Sequence, residues 1–162
     1  MLRVRAATAA DRDFIVGLVP RLFVFGPPPL RPMEALNRAE RQALERALAS
    51  PTPDATLLVA ELGDAGPAGV AYAETATDYF TGERHGHLAI LAVAETSEGQ
   101  GVGRALLAAS EAWTTAKGYR FLTLNVFAAN GRARAVYERA GYAPDIIRYV
   151  KEVPDAAIAA PI

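Results

Sequence analysis

Leu91-Ala-Val-Ala-Glu-Thr-Ser-Glu-Gly-Gln-Gly-Val-Gly-Arg104 runs directly into Ala105-Leu-Leu-Ala-Ala-Ser-Glu-Ala-Trp113. An apolar strand enters a loop whose glycines alternate at 99, 101 and 103, and that loop opens a helix. With no side chains in the way, successive backbone N–H groups can face outward. The first turn of the helix adds unpaired N–H groups and the positive end of its dipole, a combination that suits a phosphate or diphosphate. The spacing is G-x-G-x-G, without the Lys-Ser/Thr of a P-loop or the G-x-G-x-x-G of a dinucleotide-binding turn. Ser97 and Gln100 could equally form the capping box of a plain helix start, so the loop alone leaves both readings open.

Forward of this stretch, the helix predicted over about 101–117 places Val102, Leu106, Ala109 and Trp113 on one side, and Gly118 ends it. Phe121–Phe127 alternates as a strand, Asn130 caps a short helix carrying Ala133, Val136, Tyr137 and Ala140, and Gly141 stops it. One or two final strands, broken at Pro144, are expected between Tyr142 and Val153. The unit from His87 to Phe127 is then a crossover, which makes its two strands parallel neighbours.

Backward of it, Leu2–Ala6 alternates apolar and basic residues, and Thr8-Ala-Ala-Asp11 reads as the start of a helix that Pro20 ends near Val19. Gly26-Pro-Pro-Pro29 demands an irregular loop, and a second helix runs from Arg31 or Pro32 to about Ala49 with Leu36, Ala43, Leu44, Ala47 and Leu48 on one stripe. Its charges alternate in sign, which is a solvated face rather than a nucleic-acid stripe. Strands at Ala55–Glu61, Ala68–Thr77 and His87–Val93 form a meander. The fold class is therefore α/β: a mixed, mostly antiparallel sheet of about six to seven strands with about four helices.

The 162 residues are 51% apolar, enough for one core, and 1–153 is read as a single domain with 154–162 as a loose tail. With 17 basic against 18 acidic residues there is no overall field to attract nucleic acid or an anionic membrane. No cysteine is present, so disulfides, thiolate catalysis and Cys-type metal sites are excluded, and no metal is expected. No apolar run is long enough to span a bilayer and no signal-peptide pattern is present, so a cytoplasmic protein is expected.

Leu91-Ala-Val93, then Gly99-Gln-Gly-Val-Gly-Arg-Ala-Leu-Leu107, then Asn130-x-x-Ala133-x-x-Val136-Tyr137-Glu-Arg-Ala-Gly141-Tyr142, in this order and spacing, resemble the GNAT superfamily of N-acetyltransferases. The resemblance implies a splayed parallel strand pair and an acetyl-CoA site. Pantetheine would lie along Leu91, Ala92 and Val93, and the diphosphate on Gly99, Gln100, Gly101, Val102, Gly103 and Arg104. Asn130 and Ala133 would approach the coenzyme from the other side. It also implies direct transfer of acetyl from thioester sulfur to an amine of a small molecule or protein. Tyr137 is then the proton donor to the leaving thiolate, and a backbone N–H near Val93 or Ala94 holds the oxyanion. Tyr137 also lies on an apolar stripe and suits a core aromatic.

His87 stands where histone-type members carry a glutamate and is the candidate base, with Glu74 and Glu95 as others. One position departs from the pattern: Glu98 stands where family members usually carry Arg or Gln. Acceptor specificity is expected in Leu22–Arg31, Tyr72–Phe80 and Tyr142–Ile147. Phe23 and Phe25 either line the acceptor pocket, pack inward or form a homodimer contact. The alternative function is a non-catalytic acetyl-CoA-binding sensor or subunit of the same fold.

Overall fold

The computed structural model describes residues 1–154; the expected tail thus falls almost wholly outside the described residues. Strands β1 (Leu2–Ala6), β2 (Ala55–Leu62), β3 (Pro67–Thr77), β4 (Arg84–Val93) and β5 (Leu122–Leu124) form one sheet in sequential order. β1 to β4 are antiparallel, and β4 and β5 are the parallel pair that the crossover required. Helices α1 (Arg12–Gly17) and α2 (Met33–Ala49) share one face of the sheet with a core of Ile15, Val19, Leu44, Val59 and Val70. α3 (Val102–Ala116) covers the other face through Val102, Leu106 and Leu107, and α4 (Gly131–Arg139) adds Tyr137 to that side.

The start of the first helix follows from its local chemistry. Asp11 accepts hydrogen bonds from the Thr8 N–H and hydroxyl while Arg5 of β1 donates to both its carboxylate oxygens at 2.8 Å. The buried carboxylate is thereby held far below its usual range, chiefly by Arg5. Pro20 does not extend α1, which closes at Gly17; the chain continues as a 3-10 turn over Val19–Phe23.

Two expectations are corrected. The sheet has five strands among the described residues rather than six or seven, and no strand forms between Tyr142 and Pro154. Tyr149 and Val153 there are 90% and 78% exposed, and an alternating pattern becomes a strand only where an edge pairs with it. β5 is also shorter than Phe121–Phe127, because Phe127 leaves the sheet to meet Phe23 at a ring separation of 6.1 Å.

Candidate active site

β5 accompanies β4 for three residues only: Gly86 is opposite Leu122, His87 opposite Thr123 and Leu88 opposite Leu124. Beyond Leu88, β4 shifts register against β3 between Tyr72 and Ala73, a bulge at Ala89, and continues to Val93 with no partner on its β5 side. The register dictates which backbone groups the opening leaves unpaired. Ala94 N–H donates to Ala68 C=O at 2.8 Å, and Val93 is opposite Gly69, Ala92 opposite Val70 and Leu91 opposite Ala71. Backbone direction alternates along a strand, so Ala92 and Ala94 bond β3 while Leu91 and Val93 turn N–H and C=O toward the gap. Of the two candidate oxyanion donors, Ala94 is thus already committed and Val93 is not.

A 3-10 turn over Glu95–Ser97 leads from β4 to the glycine loop. Gly101 is the N-cap of α3 at φ +81°, a left-handed conformation that side chains resist, so the glycine is demanded by the chain path. The Ser97–Gln100 capping box does not form; the Gln100 amide donates instead to Thr96 C=O at 3.0 Å. Nothing lies within 4 Å of where a Cβ on Gly99 would sit, so that glycine borders open space. Val102 is buried against the sheet, Gly103 meets only the Val93 side chain at 3.6 Å, and Arg104 is exposed on the first turn of α3. The unpaired stretch of β4, the glycine loop and the first turn of α3 are therefore consecutive along one path.

Across the gap, Asn130 Oδ1 accepts from the Ala133 N–H at 3.1 Å and caps α4, leaving only its amide NH2 for another partner. Tyr137 packs into the cluster that contains Leu91, Val93 and Leu124, and burial alone raises its phenol pKa. His87 lies on the opposite face, bonded through Nδ1 to Thr123 Oγ1 at 2.8 Å. The Thr123 hydroxyl also reaches Gly86 C=O at 3.4 Å; donating there, it accepts from His87 Nδ1–H and leaves Nε2 as the free acceptor. Burial lowers the His87 pKa, with nearby Glu74 acting in the opposite direction, so the ring is neutral at pH 7. Glu74 accepts from the Tyr72 hydroxyl at 2.9 Å, and that phenol is pushed up to about 12 by burial and by Glu74. Glu95 is 82% exposed and faces solvent.

The structure thus brings the coenzyme candidates onto one path and sets His87 and Tyr137 on two faces joined by the gap. Phe23 enters the core, Phe25 stacks on guanidinium groups, and Tyr79 and Phe80 stand exposed at the β3–β4 turn. Sequence reasoning missed Thr123, whose place opposite His87 depends on the parallel register, and missed the partners of Glu98. Both oxygens of Glu98 are engaged, one by Arg21 and one by Arg132 Nη2 at 2.7 Å. Among the described residues no three His, Asp or Glu side chains gather as a metal site.

Residues 25–142 match the sequence profile of the Acetyltransferase (GNAT) family. The chain belongs to that family. Solved structures share the fold. A putative acetyl transferase from Pyrococcus furiosus superposes with a TM-score of 0.75 at 19% identity, covering 94% of this chain and 100% of that one. The aminoglycoside N-acetyltransferase AAC(6')-Iy in complex with CoA gives 0.70 at 22% identity, over 94% and 96%. The glucosamine-6-phosphate N-acetyltransferase of Arabidopsis thaliana gives 0.68 at 15% identity, over 95% and 99%. A search of curated proteins returned no match.

Proposed function

We propose that this GNAT protein is an N-acetyltransferase that moves the acetyl group of acetyl-CoA to a primary amine. The observation that carries the reading is the opening of the parallel pair after Leu88 and Leu124, which leaves Leu91 and Val93 backbone groups unpaired beside a glycine loop at a helix start. Buried unpaired peptide groups are costly, and a ligand with its own amides satisfies them. The loop and the N-terminus of α3 suit its diphosphate. The coenzyme, when bound, supplies an acetyl group already activated as a thioester.

The chain's own groups supply positioning and proton handling. Val93 N–H faces the gap as the donor for the carbonyl oxygen, and Tyr137 holds its proton at pH 7 for the sulfur that leaves. The burial that raises the Tyr137 phenol also disfavours a free thiolate beside it, so the proton is not stranded on the stronger base. From the other face, His87 Nε2 accepts the proton that the amine must lose, directly or through one water. Holding the amine against the thioester contributes the larger share of the acceleration.

The test is thiol release from acetyl-CoA across a panel of amines: an aminoglycoside, an amino sugar, a polyamine, and peptides with free lysine or N-terminal amine. Release that requires both protein and one amine class supports the reading; binding of acetyl-CoA with no transfer to any amine would make the chain a coenzyme-binding module instead.

A further inference from the structure

Glu98 puts a negative charge at the entrance of a loop read as a diphosphate seat, and its surroundings resolve the conflict. Its Oε2 accepts from Arg132 Nη2 at 2.7 Å and its Oε1 from Arg21, so a single carboxylate joins the 3-10 turn after α1 to the first turn of α4 at the glycine loop. The Phe25 ring lies under both guanidiniums, 4.7 Å from that of Arg132 and 5.8 Å from that of Arg21. The two segments are in close contact: a Cβ on Gly26 would fall 2.6 Å from the Ala129 carbonyl carbon. One carboxylate and two guanidiniums sum to a single positive charge, so the cluster attracts an anion where Glu98 alone would repel it.

The two arginines differ in freedom. Arg21 is 19% exposed and enclosed, whereas Arg132 is 52% exposed, two residues past the α4 cap, and spends one nitrogen on Glu98. A guanidinium has five donors in a planar fork that matches phosphate, so Arg132 can keep Glu98 and still present an edge to a second anion.

We infer that Arg132 is a phosphate-binding residue of the coenzyme site and that Glu98 is the positioning residue that holds it, with Arg21, at the glycine loop. The inference rests on the coenzyme reading above. It makes Glu98 a recruiter of positive charge at a place where the chain lacks its own Arg or Gln.

The experiment compares binding of coenzyme A with binding of S-acetylpantetheine, which lacks every phosphate, to the full chain and its variants. Arg132→Ala should weaken coenzyme A about tenfold, the size expected of one lost charge-assisted hydrogen bond. It should change S-acetylpantetheine less than about twofold on the same basis, and flatten the salt dependence of coenzyme A binding. Arg132→Lys should fall between, and Glu98→Gln should weaken coenzyme A while sparing S-acetylpantetheine. Unaltered coenzyme A affinity in Arg132→Ala, equal losses for both ligands, or tighter coenzyme A binding by Glu98→Gln would overturn the inference. Failure of the unaltered protein to bind either ligand would instead overturn the coenzyme reading on which it rests.

Discussion

His87 and Tyr137 are half-buried residues on opposite faces of the sheet, and their environments make opposite demands. Burial lowers the imidazole pKa and raises the phenol pKa, so near neutrality the first is an empty proton acceptor and the second a filled donor. Tyr137→Phe should slow transfer about tenfold or more, the lower end of what a general acid contributes, while leaving coenzyme A affinity unchanged. Full activity in steady-state assays would assign the ring to packing alone. For His87, the rate should fall on the acid side of a pKa below 6.5, and His87→Gln should remove that limb from the pH profile. The same titration bears on stability. With a folded pKa below the unfolded one, the unfolded chain binds the proton first, so His87 makes the fold progressively less stable as pH drops from about 6.5 toward its folded value. Denaturant melts at successive pH values should show a shallower acid loss in His87→Gln.

The decisive elements are β4 and α3 with the loop between them, and most of this unit was legible in the sequence. The apolar run to Val93, the alternating glycines and the helical stripe named strand, loop and helix, because each depends on local spacing. What local spacing cannot carry is register. The start of β4 at Arg84 was not evident because Gly86 reads as part of a turn. In the fold it lies within the strand, where a Cβ would stand 2.5 Å from Thr114 Oγ1 of α3. The buried Ser110 and Thr114 of that helix escaped for a similar reason: each donates to the carbonyl four residues back and so enters the core with its polarity satisfied. The bulge at Ala89, which decides that Leu91 and Val93 rather than Ala92 face the gap, has no sequence signature at all. Within this unit, Gly101→Val forces a β-branched residue into φ +81°, a cost of about 1–2 kcal/mol. Isothermal titration should show coenzyme A affinity reduced, with the melting transition still cooperative; unaltered affinity would reduce the loop to a helix start.

Across the molecule, the sheet separates two cores that meet only through the strands, with α1 and α2 over one and α3 and α4 over the other. The splayed pair is where the two sides communicate, so a coenzyme lodged from one face can meet an acceptor from the other. The fold class, the parallel pair and the four helices followed from pattern and from motif resemblance. The last strands between Tyr142 and Val153 did not, since strand formation depends on an available edge and not on alternation alone.

The most direct test of the coenzyme site is thermal unfolding of the full chain with acetyl-CoA, coenzyme A, ATP and NAD at equal concentration. A ligand at a hundred times its dissociation constant stabilises the native state by about 2.7 kcal/mol. The account predicts a clear rise in melting temperature with acetyl-CoA and coenzyme A and a smaller or no rise with ATP and NAD. No rise with either coenzyme form, or a larger rise with a nucleotide that lacks pantetheine, would contradict it.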